Sequence, residues 1–166
     1  MAQNWTAWIA GAMRMDEATW ERHANPWSAW TRLPILPAIV VVLLLRDTLG
    51  VATWVLLMLP IIWVWLNPRA FSPPATLDAW VSRAVMGEKL WVERDRRPIP
   101  QAHAAMAQGL SLLQAPALVP LVWGIWAKDA PLALTATALV IAIKFWFLDR
   151  MVWLYDTRAA TEDDAR

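Results

Sequence analysis

The chain has 166 residues, a length that suits one domain. It is 58% hydrophobic and only 17% charged, with mean hydropathy +0.36; soluble domains run at about 45–50% apolar and about 25% charged, so the surplus argues against an ordinary soluble core and for contact with lipid. A net charge of +1 leaves no overall basic field for nucleic acid, and a chain without cysteine has no disulfide, Fe–S cluster or thiolate metal site.

Residues 3–24 read as an amphipathic helix. At about 100° per residue, Trp5, Trp8, Ile9, Ala12, Met13 and Trp20 share one face, and Arg14, Glu17, Glu21 and Arg22 lie off it. Asn25-Pro26 ends the helix. Asp16, Glu17 and Glu21 leave no continuous apolar stretch near the start, so a cleavable signal peptide is not expected, and neither end carries a lipidation motif. The next run, LPILPAIVVVLLL at 33–45, is short; with Trp30 and Thr31 it makes a first span over 30–45, provided that Arg32 and Arg46 snorkel. RDTLG at 46–50 is a tight connection to a second, antiparallel span over 51–66. NPRAFSPP at 67–74 reads as a rigid, Pro-rich turn, and residues 76–94 as a second amphipathic helix with Leu77, Trp80, Val81, Ala84, Val85 and Trp91 on one face. The third span covers 104–127, kinked at Pro116 and Pro120. The fourth covers 131–149, its helix continues to about Tyr155, and 157–166 is expected to be a flexible tail.

Charge sets the orientation. Three Lys or Arg fall in residues 1–32, six in 67–103 and three in 150–166, against Arg46 and Lys128 alone in the two turns. The positive-inside tendency then places both termini and the 67–103 segment in the cytoplasm. Tryptophan is distributed the same way: Trp54, Trp123 and Trp126 lie near the outer face, and the other eleven of fourteen at or inside the inner boundary, where an indole can keep its ring in apolar surroundings and its N–H wet.

The helical wheels put carboxylates where lipid alone would not hold them. Asp16 and His23 fall in the apolar arc of the first amphipathic helix, and Glu88 in the middle of that of the second. These helices are therefore expected to press on polar groups at the inner end of a bundle: Arg32 and Arg69 beside the first hairpin, His103 at the start of the third span, and Lys144, Asp149, Arg150 and Asp156 on the fourth. Glu88 is expected to be paired, with Arg32, Arg69 and His103 the leading partners, and Lys144 to snorkel to the inner headgroups. Three readings of the layer stay open: an ion-pair clamp, a ligand or cofactor site, or a metal site using His23, Glu88 and His103 with an Asp. The metal signal is weak, because there is no HExxH or Glu-x-x-His pair and the chain has only two histidines. No nucleotide or hydrolase fingerprint is present either.

Several strings together, RHANPWSAWTR at 22–32, NPRAFSPP at 67–74, SRAVMGEKLW at 82–91, PIPQAH at 98–103 and KFWFLDRMVWLYD at 144–156, resemble an uncharacterised family of small Trp-rich membrane proteins of bacteria and haloarchaea. The resemblance covers most of 22–156. It implies a topology and lends no activity, cofactor or catalytic residue. The reading is an all-α, integral membrane four-helix bundle with two cytoplasmic amphipathic helices, in the inner membrane. Its role is structural, accessory or ligand-binding, with the bilayer and an apolar ligand or a membrane-protein partner as its contacts. The alternative is a membrane-embedded metal- or cofactor-dependent enzyme acting on a lipid or other apolar substrate. The cofactor, if there is one, is unknown.

Overall fold

The computed structural model describes residues 5–164, with side chains over 9–161; residues 3 and 4 of the expected first helix, the side chains of Trp5 and Trp8, and residues 165 and 166 lie outside the described residues. The regular structure of the described residues is all helix, without a strand. Four stretches are long and apolar enough to cross a membrane: Pro26–Leu44, Ala52–Ala70, Gln101–Ala127 and Ala130–Thr161.

The stretch read as one amphipathic helix is two, α1 (Trp5–Ala12) and α2 (Glu17–His23). Between them Arg14 takes a left-handed conformation (φ 50). Asp16 is extended and accepts a 2.8 Å bond from the Thr19 amide, the standard cap of a new helix. Asn25 caps α3 (Pro26–Trp30) in the same way, accepting from Trp27 N with Pro26 at the first helical position. A turn over 31–34 leads to α4 (Ile35–Leu44), so the first span begins earlier than Trp30 and is broken by a turn that contains Arg32.

The connection at 46–50 holds a single helical turn, α5 (Arg46–Leu49), closed by Gly50 at φ 53. Arg46 does not reach for headgroups: it donates to Leu43 O, Ile125 O and Trp126 O, tying this turn to the end of the third span, where Lys128 also pairs with Asp47. The second span, α6 (Ala52–Ala70), runs further than expected: Asn67, Pro68, Arg69 and Ala70 are its last turn rather than part of a Pro-rich loop. Pro68 lacks the N–H that would bond the Val64 carbonyl, and its ring crowds that carbonyl.

Beyond a non-helical stretch, α7 (Trp80–Val92) covers the core of the expected second amphipathic helix. The third span is α8 (Gln101–Ala127), with Pro116 and Pro120 inside it. Lys128 in a left-handed conformation ends it, Asp129 N bonds back to Gly124 O, and Asp129 Oδ1 caps the next helix at Leu132 N; these bonds make the tight turn into α9 (Ala130–Asp164). Helix α9 does not stop near Tyr155. Residues 150–164 contain neither Gly nor Pro, and the Thr157 and Thr161 hydroxyls bond to the carbonyls of Trp153 and Thr157. At 35 residues it measures about 50 Å, against about 30 Å of hydrocarbon, so its end projects beyond any bilayer.

Helix α9 is the spine. It packs along α8 and, antiparallel, along α7: Arg83 meets Asp156 while Gly87 meets Met151 and Glu88 meets Lys144. Trp91, Ala107, Leu110, Phe147, Met151 and Leu154 form the core of this layer, and Val40, Leu121, Ala133 and Ala136 join α4 to α8 and α9 further along. Helix α6 stands at the edge, with Val51, Trp54, Val55, Leu59 and Ile61 more than half exposed.

Two glycines set how close the helices come. A Cβ on Gly124 would lie 2.7 Å from Ala133 N, and one on Gly87 would overlap the Met151 carbonyl. Gly87→Ala should therefore lower stability in detergent by about 1–3 kcal/mol, the usual cost of overpacking, whereas Gly109→Ala, which meets open space, should melt like the wild type. Equal thermal melts for the two variants would show that α7 is not held against α9 as described.

Candidate functional site

The polar side chains expected at the inner layer do not form one cluster. Asp16 is exposed rather than buried. The break at Arg14 ends the helix on which its wheel position was read, and its carboxylate serves as the α2 cap, where hydrogen bonds from Thr19 hold it below the usual carboxylate range. Arg69 turns away as well: it donates to Met13 O, Arg14 O and Trp65 O and lies over the Trp65 ring. Asp149 meets its neighbour Arg150 at 3.4 Å, Arg150 covers Trp153, and Asp156 pairs with Arg83 at 3.1 Å. His103 lies 3.4 Å from Thr157 Oγ1. It does not join His23 and Glu88, and no group of three or more metal-ligating side chains forms among the described residues.

Four of the expected residues do converge: His23, Arg32, Glu88 and Lys144. Glu88 Oε1 accepts from Lys144 Nζ at 2.9 Å, so its direct partner is the lysine expected to snorkel and not Arg32, Arg69 or His103. The reason is geometric. The close approach at Gly87 brings α7 onto the α9 face that carries Lys144, whose ammonium also lies 4.7 Å from the Phe147 ring. The pair is only partly enclosed, with the Glu88 side chain 26% and that of Lys144 45% exposed.

His23 is 4% exposed and is fixed by a chain of hydrogen bonds whose directions follow from one another. Ser28 Oγ donates to Asn67 Oδ1 at 2.7 Å, so at 2.8 Å it accepts from His23 Nδ1. Asn67 Nδ2 donates to Thr31 Oγ1 at 2.9 Å, and that hydroxyl donates to Trp27 O. The proton of the neutral imidazole is thus on Nδ1, and Nε2 is left as an acceptor. Ser28 and Asn67 are fully buried, which makes Ser28 an orienting group and not an accessible nucleophile. Arg32 Nε donates to Ser28 O at 3.2 Å; among the described residues its terminal nitrogens have no hydrogen-bond or ion-pair partner.

Arg32, Glu88 and Lys144 line two cavities, of 280 and 330 Å³, and Gln114 lines both with them. The first lies beneath α1 and α2, walled by Met13, Met15, Trp20, Trp91 and Phe147, and His23 opens on it. The second lies between the first span and α9, walled by Trp30, Leu33, Leu36, Ile141 and Phe145, with Trp80 stacked on Phe145 at 6.1 Å. The Trp91 indole nitrogen is buried without a partner, and Gln114, half-buried, has no hydrogen-bond partner among the described residues. Sequence reasoning missed Gln114, Ser28, Asn67 and Thr31. An amide in the middle of the third apolar run was the visible signal for Gln114; the other three sat in segments read as turn or span end.

The family model of a family of unknown function, DUF6653, matches residues 5–166. The chain belongs to that family. No curated protein and no solved structure matches it.

Charge in the cluster depends on pH in a defined direction. Burial, with the Arg32 guanidinium next in weight, pushes His23 from 6.5 down to about 3. Burial alone would raise the Glu88 carboxyl, but the charge and hydrogen bond of Lys144, then Arg32 and His23, outweigh it and hold Glu88 below its ordinary value. Both shifts have one sign. The unfolded chain binds protons that the folded chain does not, so stability is complete above pH 6.5, falls as His23 of the unfolded chain protonates between 6.5 and about 3, and falls further once unfolded carboxylates titrate. Thermal melts in detergent should drop steadily from pH 7 to pH 5. His23→Gln should flatten that slope, at some cost in stability at pH 7; an unchanged slope would mean that His23 is not the group responsible.

Proposed function

We propose that this protein binds an anionic amphiphile at the cytoplasmic side of the inner membrane and is not itself an enzyme. The observation that carries the reading is an excess of donors where the two apolar-walled cavities meet. Arg32, Lys144 and Gln114 line both cavities beside one carboxylate, Glu88, which Lys144 already engages, and the Trp91 indole N–H on the wall of the first cavity is buried without a partner. With His23 neutral, two cations stand against one anion. A buried donor without an acceptor, such as the Trp91 indole N–H, costs about 1–3 kcal/mol, and a phosphate or carboxylate group would supply acceptors to the half-buried donors of Arg32, Lys144 and Gln114. Basic pockets between membrane helices on the cytoplasmic side suit lipid headgroups, and the apolar walls suit the rest of such a molecule.

The placement rests on charge. The polar cluster lies at the end of the molecule that carries the Lys- and Arg-rich segments, which favours a four-helix bundle with both termini inside and with α2 and α7 as amphipathic elements covering its cytoplasmic end. Reporter fusions beside Lys128 should read as outside, and fusions near Asp95 and Ala160 as cytoplasmic; a cytoplasmic signal at Lys128 would overturn the orientation.

Binding is tested with the purified protein. Titration with phosphatidic acid, followed by tryptophan fluorescence and native mass spectrometry, should saturate, whereas diacylglycerol should not. Arg32→Ala should weaken binding by about tenfold or more, in line with the loss of one charge-assisted contact, with a melting temperature close to the wild type because Arg32 has no ion-pair partner to strand. Equal affinity for the neutral lipid, or an Arg32→Ala variant that binds like the wild type, would overturn the reading.

A further inference from the structure

The geometry points to a ligand with two apolar limbs diverging from one anionic group, with the group held at Arg32, Lys144 and Gln114 and one limb in each cavity. This inference rests on the anionic-amphiphile reading and adds the shape of the molecule. Its basis is that the two cavities share four polar residues and nothing of their apolar walls. Arg32, Glu88, Gln114 and Lys144 line both; Trp20, Trp91 and Phe147 belong to the first alone, and Leu36, Ile141 and Phe145 to the second alone.

A ligand with its charge at one end and a single chain would fill one cavity and leave the other without an occupant. Size agrees with division. Pockets for whole ligands run to about 300–1,000 Å³. At 280 and 330 Å³ each cavity is at or below the small end of that range, and together they make one ordinary site. The second cavity also lies next to surface that suits lipid: Trp30 and Leu33 on its rim are 44% and 39% exposed, so a limb can slide in between the first span and α9 while its head remains near the charged layer. The first cavity is roofed by α1 through Ile9, Ala10 and Met13, with Arg69 holding the following turn at Met13 O and Arg14 O. The limb that enters it passes beneath that roof. The matching chemical class is a two-chain lipid with a phosphate or other compact anionic head.

The experiment compares dioleoyl phosphatidic acid, oleoyl lysophosphatidic acid and inorganic phosphate on the intact protein in detergent. The two-chain lipid should bind at least about tenfold more tightly than the one-chain lipid, and inorganic phosphate should compete only weakly. Ala10→Trp, which fills the first cavity, and Ala29→Trp, which fills the second, should each erase the advantage of the second chain while leaving the one-chain lipid bound. Because a filled cavity can disturb folding, a measurement on the unaltered protein stands beside the variants. Phosphatidic acid with a photoreactive group on both chains should label peptides around Met15 and Phe147 and, separately, peptides around Leu36 and Ile141. Equal binding of one- and two-chain lipids, or labelling confined to one cavity, would each overturn the two-limbed ligand and leave the anionic-amphiphile reading standing, whereas equal competition by inorganic phosphate would overturn both. Failure of all three probes to bind would overturn both.

Discussion

The structure depends on how closely α7 lies against α9. At Gly87 the two backbones approach to a distance that leaves no room for a Cβ beside Met151 O. Without that approach Glu88 and Lys144 would not meet at 2.9 Å, Trp91 would not join Phe147, Met151 and Leu154 in the core, and neither cavity would have its α7 wall. Close packing by a small residue matters most where lipid surrounds the helices. Lipid chains are as apolar as the side chains they would replace, so association rests on contact and on polar pairing more than on the hydrophobic effect. The α8–α9 turn uses the same device at Gly124 and Ala133, and the two contacts hold α9 at both ends of its apolar length.

The second organising feature is the directed hydrogen-bond chain from His23 to Trp27 O. It links α2, α3, the turn after it and the end of α6, segments that otherwise share few apolar contacts with the spine. Ser28, Asn67 and Thr31 in its middle are each used as donor and as acceptor, which is what a buried polar network needs if it is to stabilise more than it costs. The chain also explains why α6 runs past its apolar residues. Asn67, on the last turn of α6, reaches both Ser28 and Thr31 through its side-chain amide.

Much of the fold was legible in the sequence because apolar run length is a strong signal in a chain of this composition. The four candidate spans coincide with the expected ones apart from their ends, where the helices are longer than their apolar parts: Asn67 to Ala70, Gln101 to His103 and the residues after Tyr155 are polar yet helical. Hydropathy cannot see such extensions, since a helix outside hydrocarbon needs propensity and not apolarity. The first amphipathic segment failed in a more instructive way. Its wheel was drawn as if one helix ran from residue 3 to 24, and a single left-handed residue, Arg14, put Asp16 on a new helix and at its cap. Of the residues whose wheel positions fall on apolar faces, His23 and Glu88 come together and Asp16, moved to a helix cap, does not. Of the charged residues expected at the inner end, Arg32 and Lys144 join them, and other partners absorb Arg69, His103, Asp149, Arg150 and Asp156. An ionisable residue on an apolar face was thus the better signal, because only its tertiary environment can repay the burial.

The same distinction bears on what the converged residues are for. An ion-pair clamp needs matched charges, and Arg83–Asp156 and Lys89–Glu17 meet that need on either side of the site. The central cluster does not match. Lys144 answers Glu88, and Arg32 is left as a second cation whose terminal nitrogens open on the cavities. A neutral His23 beside it adds an acceptor without adding charge. If stability were the only requirement, an apolar residue of similar size at position 32 would serve at least as well, because buried ion clusters are often no more stable than packed hydrocarbon. A guanidinium held there by one bond to Ser28 O, with its remaining donors turned toward apolar space, is a cost in the isolated chain that an anionic ligand would remove.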